Sequence, residues 1–110
     1  MTLQKDLPPC PVATTVGLLD SKWKLLILRD LLTGTQRYNA FQKSLPQISQ
    51  KVLTQTLKSM VEDGLVIRTA YPEVPPRVEY SLSDLGNSLR PIIKSMEIWG
   101  KNYQDIYNNK

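Results

Sequence analysis

The sequence predicts a mainly helical α+β fold in which one small β-hairpin separates a set of short helices from a long C-terminal helical stretch. Three observations carry that expectation. Apolar residues recur at helical spacing from Val12 to Val61, and two runs rich in β-branched and aromatic residues flank the cluster Pro72, Pro75 and Pro76. The helical period then returns from Ser83 almost to the end. At 110 residues and 41% hydrophobic content, the chain has room for one domain with one modest core.

The elements follow in order. Residues 1–9 are polar and proline-rich, which predicts a flexible arm before a single domain over 10–110. Pro11 opens a short helix through Asp20, with Val12, Val16 and Leu19 on one side. Ser21 is placed to cap a second helix. Its Trp23, Leu25, Leu26, Ile27, Leu28, Leu31 and Leu32 are apolar nearly all round, which puts it at the domain's centre before Gly34 ends it. Arg37 to Leu45 reads as a third helix with Tyr38, Phe41 and Leu45 inward, stopped by Pro46.

Ser49 caps a fourth helix over about 49–63, closed by Gly64. Its two faces differ: Leu53, Leu57, Met60 and Val61 cluster on one side, and Lys51, Thr54, Gln55 and Lys58 on the other. Leu65 to Tyr71 and Arg77 to Leu82 form the expected hairpin, a wing over about 65–82. Within the stretch 83–107, Leu85, Leu89, Ile92, Met96, Trp99, Tyr103 and Ile106 form a heptad seam. Pro91 either kinks that stretch or opens the second of two helices, and division is the preferred reading. The early seam, Leu85 and Leu89, is expected on the chain's own core. Met96, Trp99, Tyr103 and Ile106 are left for a second subunit, joined by Val16 and Leu19 of the first helix.

This order is that of a winged helix-turn-helix domain with terminal dimerisation helices. With 14 Lys and Arg against 10 Asp and Glu, the net charge of +4 favours an anionic partner. The fourth helix has Lys51 in its first turn and Glu62 and Asp63 in its last, the reverse of what the macrodipole favours, which suits an outside anion at its start. Ser49, Gln50, Lys51, Thr54, Gln55 and Lys58 are donor types that read base edges and phosphates in a major groove. Arg77, behind the stiff proline tip, is a candidate contact to the backbone or minor groove, and Lys22, Lys24 and Arg37 are candidates for flanking phosphates. Double-stranded DNA bearing a pseudo-palindromic operator is therefore the expected partner. The rival reading is a winged-helix module that binds a protein through the same surfaces.

Enzymatic and metal chemistry find little support. The chain has no histidine and one cysteine, so no Ser, His and Asp set, no phosphate-cradling glycine loop, no zinc site and no cofactor is expected. That cysteine usage, with no apolar segment of signal-peptide or membrane-spanning length, predicts a cytoplasmic protein. Cys10 precedes a helix N-terminus, where the dipole favours an anion, so it is either a redox or electrophile sensor or a partly buried small apolar residue.

Several ordered strings carry a family resemblance. They are Cys10-Pro11-Val12, the run from Lys22 to Arg29, the run from Ile48 to Gln55, Asp63-Gly64-Leu65-Val66, and Tyr71 through Pro75-Pro76-Arg77 to Tyr80. Together they resemble HxlR-type transcriptional regulators, of the MarR-like group, from Cys10 to about Gly100. The resemblance implies a dimeric winged-helix DNA binder that acts at promoters as repressor or activator, in a family some of whose members sense oxidants through a cysteine at the Cys10 position.

Overall fold

The computed structural model describes residues 6–109, so the expected arm lies mostly outside the described residues. Helix α1 (Pro11–Leu18) is followed by α2 (Lys22–Leu31), β1 (Gln36–Arg37), α3 (Tyr38–Ser44), α4 (Gln50–Glu62), β2 (Val66–Tyr71), β3 (Arg77–Leu82), α5 (Asp84–Asn87) and α6 (Arg90–Asn108).

Two helix starts are fixed by hydroxyl caps. Ser21 accepts a hydrogen bond from Trp23 N and Ser49 accepts one from Val52 N, each satisfying a backbone donor that a helix start would otherwise leave free. Gly64 takes φ +79° just beyond α4, a conformation that glycine adopts without a Cβ clash, and the chain turns there into β2. The core gathers Ile27, Leu28 and Leu31 of α2, Phe41 of α3, Leu53, Leu57 and Met60 of α4, Leu65, Val66 and Tyr80 of the hairpin, and Ile93 of α6. The rings of Phe41 and Tyr80 meet edge to face at 6.1 Å, tying α3 to the sheet.

The sheet is antiparallel with order β1-β3-β2. In the hairpin Val66 pairs with Leu82, Arg68 with Tyr80 and Tyr71 with Arg77. Directly paired residues share a face, so Tyr71, Thr69, Arg77 and Glu79 lie on the side opposite buried Val66 and Tyr80.

Several expectations need correction. The chain has a further short strand, β1: Gln36 and Arg37 pair with Tyr80 and Glu79, so Arg37 ends a strand and precedes α3 rather than opening its first turn. Helix α1 stops at Leu18, and Leu19 packs against the chain's own core instead of standing free beside Val16. In α4 the inner stripe includes Thr56, whose hydroxyl donates to Val52 O at 2.6 Å and so allows a polar residue inside, while Val61 is only half-buried. Asp63 is buried and engaged, leaving Glu62 as the only solvent charge at that helix end. Leu85 is 52% exposed rather than packed, because α5 is a short separate helix; Leu89 does reach the core. The separate α5 settles Pro91 as well. It lies in the first turn of α6, where its missing N–H costs nothing, so the C-terminal stretch divides there.

Candidate nucleic-acid interface

Helix α4 is held by its buried stripe against α2 and β2. Opposite that stripe, Gln50, Lys51, Thr54, Gln55 and Lys58 are all exposed. Neither Lys51 nor Lys58 makes an ion pair among the described residues, so both cations are available to an anion from outside. Ser49 has used its oxygen as the cap acceptor but keeps a hydroxyl hydrogen to donate.

The first turn is braced from α3. Tyr38, the opening residue of α3, is half-buried, and its hydroxyl lies 3.1 Å from Gln50 O and 2.9 Å from Thr54 Oγ1. Nothing in the spacing of residues sixteen apart announces this contact; only the packing of α3 across α4 creates it.

The wing is ordered differently from its sequence expectation. Arg77 does not project freely: its guanidinium lies 3.9 Å from the centre of the Tyr71 ring and pairs with Glu73 at 2.8 Å and Glu79 at 3.2 Å. Two carboxylates thus surround this one cation, and Arg37, which pairs with Glu79 in the register, adds a second cation to the same face. Arg68, exposed on β2, and Arg37, exposed on β1, make no ion pair among the described residues.

The flanking lysines also separate. Lys22 is exposed and sits 4.6 Å from the Trp23 ring. The Lys24 side chain is only 11% exposed and pairs with Asp20 at 3.2 Å, so it is not offered to solvent as expected.

A second surface is apolar. Ile92, Met96, Trp99, Tyr103, Ile106 and Tyr107 are exposed on α6, and Val12 and Val16 on α1. Trp99 stacks on Tyr103 at 5.5 Å and Tyr103 on Tyr107 at 6.1 Å, forming a ladder of aromatic faces. Cys10, expected partly buried if structural, is exposed at the start of α1. No group of metal-ligating side chains is assembled among the described residues, and no helix among them is long and apolar enough to cross a membrane.

Comparison with known proteins agrees with this arrangement. The family model described as HxlR-like helix-turn-helix matches residues 18–107. The uncharacterized HTH-type transcriptional regulator YdeP of Bacillus subtilis (strain 168) is 43% identical over 100 residues, spanning 91% of this chain and 78% of that protein. Among solved structures, the redox regulator HypR in its reduced form superposes with a TM-score of 0.86 at 37% identity, covering 92% of this chain and 100% of that one. Its oxidised form gives 0.81 at 40% identity, covering 84% and 96%.

Proposed function

The chain belongs to the HxlR-like helix-turn-helix family, and from that membership we propose that it grips an operator as a homodimer, with α4 in the major groove and the β2–β3 wing beside the backbone or minor groove. It is a DNA-binding transcriptional regulator with a winged-helix fold, not an enzyme. The observation that carries the proposed docking is the exposed stripe of Lys51, Gln55 and Lys58 on a helix whose opposite face is locked into the core. Two such helices spaced by one DNA turn, about 34 to 36 Å, suit a pseudo-palindromic site. A cytoplasmic location follows from that partner.

The apolar faces of α6 and α1 supply the dimer contact. Exposed rings and aliphatic side chains of this extent gain by leaving water together, and the spacing of Ile92, Met96, Trp99, Tyr103 and Ile106 puts them along one side of α6. The docking is tested by fluorescence anisotropy with the duplex upstream of the chain's own gene over a salt series. Affinity should fall linearly in log–log form as counterions are released; salt-independent binding would exclude the proposed phosphate contacts.

A second reading concerns Cys10, favoured by its exposure and by the oxidised and reduced forms of the similar regulator HypR. With one cysteine per chain, oxidation would join Cys10 to a thiol outside that chain, either the other subunit's Cys10 or a small thiol, with two electrons and two protons passing to the oxidant. If Cys10→Ser leaves diamide-dependent release from DNA unchanged, this reading is wrong.

A further inference from the structure

We propose that Tyr38 sets the hydrogen-bond polarity of Thr54, so that the recognition helix presents an acceptor, and not a donor, at that position to the major groove. This rests on the reading of α4 as the groove-facing helix.

Too few hydrogens are present for every contact to be donated from Tyr38. The Tyr38 phenol carries one, and two oxygens lie within reach of it, Gln50 O at 3.1 Å and Thr54 Oγ1 at 2.9 Å. A carbonyl oxygen only accepts, so the phenolic hydrogen goes to Gln50. The opposite assignment would leave the phenolic and carbonyl oxygens facing each other at 3.1 Å with no hydrogen between them. The short contact to Thr54 then requires Thr54 to donate. Its single hydroxyl hydrogen points inward at Tyr38, and what remains on the exposed side is a lone pair.

Major-groove donors are few. Adenine N6 and cytosine N4 are amines, whereas guanine presents N7 and O6 and thymine presents O4, all acceptors. An acceptor-only Thr54 therefore favours adenine or cytosine at the base it meets and disfavours a guanine or thymine carbonyl. Tyr38 touches no base in this scheme and is a positioning residue: it acts by fixing which way the Thr54 hydroxyl points. Without the phenol, Thr54 can either bond back to the carbonyl four residues earlier or donate outward, so its preference relaxes rather than reverses.

The test is selection from a randomised duplex library with the full chain, comparing wild type with Tyr38→Phe, Thr54→Val, Lys51→Ala and Gln55→Ala. Wild type should favour an amino-bearing base at one position by about tenfold, Tyr38→Phe should narrow that ratio to about threefold, and Thr54→Val should erase it, with the other positions unchanged. A Tyr38→Phe profile identical to wild type overturns the proposal, as does a uniform loss of affinity with every base preference retained, the signature of a purely structural hydroxyl. If Lys51→Ala and Gln55→Ala also leave binding and preference untouched, the groove-facing reading of α4 falls and this proposal with it. If those two variants bind differently while Tyr38→Phe and Thr54→Val do not, only the Tyr38 assignment is refuted.

Discussion

Lys51 and Gln55 differ in what a duplex asks of them. Lys51 lies in the first turn of α4 with no ion pair among the described residues, so in the proposed docking its contribution is charge. Lys51→Ala should weaken binding to all sequences alike and reduce the salt slope by about one, measured by anisotropy at several ionic strengths. Gln55 can donate and accept at once, which suits a base edge, and Gln55→Ala should relax preference at one position by roughly 1 to 3 kcal/mol in competition binding. A residue that no motif singled out matters as much to the fold. Gly86 is buried in α5, and a Cβ there would collide with Leu65 O and lie 3.0 Å from Leu82 Cδ2. The obstacle is backbone, held by Ser83, whose N–H and hydroxyl both reach Leu65 O at 3.1 Å. Gly86→Ala should therefore cost roughly 3 kcal/mol in urea unfolding, and a loss below about 1 kcal/mol would mean that α5 yields easily.

Among the elements, the wing departs furthest from its sequence expectation. Prolines at its tip suggested a rigid support for a free arginine, and the strands formed where the β-branched runs lie. Alternation along β3 already puts Glu79 on the same face as Arg77; what the sequence could not show is that the register sets Tyr71 opposite Arg77, with Glu73 closing on it from the turn. Pairing that depends on register is invisible until the register is known. If Arg77 meets a phosphate, it must loosen its hold on these carboxylates. Glu73→Gln should then tighten DNA binding about twofold to fivefold at low salt, read by the same anisotropy titration, and weaker binding would show that Glu73 serves to aim Arg77. The helices were more legible because hydroxyl caps, terminal glycines and the 3.6-residue period are local signals: Ser21, Ser49 and Gly64 act where they were expected. β1 was not, since two residues carry no period and Gln36 and Arg37 become a strand only because β3 offers its edge. The Tyr38 brace on α4 is hidden for the same reason, as a contact between elements.

At the level of the whole molecule, the chain divides its surface into a polar donor face on α4 and an apolar face on α6 and α1, and the proposed function gives each a different partner. The heptad spacing of Met96, Trp99, Tyr103 and Ile106 was readable in the sequence, and all four are exposed in the single chain. Leu85 belongs to the same spacing yet lies outside that helix, because the chain breaks between α5 and α6. Placing a charge at the centre of the seam should separate the subunits without unfolding either core. Tyr103→Asp is expected to sediment as a monomer at micromolar concentration, keep the helical circular dichroism of wild type, and bind a two-half-site duplex no better than a single half-site. Retention of the dimer by this variant would move the interface elsewhere.

The aromatic ladder on α6 also gives the protein a built-in optical reporter. The chain has two tryptophans, and only Trp99, 69% exposed, belongs to the ladder; Trp23 lies half-buried in the core of its own subunit. An indole in water emits at longer wavelength than one enclosed by another polypeptide. If α6 forms the proposed dimer contact, serial dilution should therefore shift the emission to the red as subunits part, and in a Trp23→Phe background that shift reads the association constant from Trp99 without any added label.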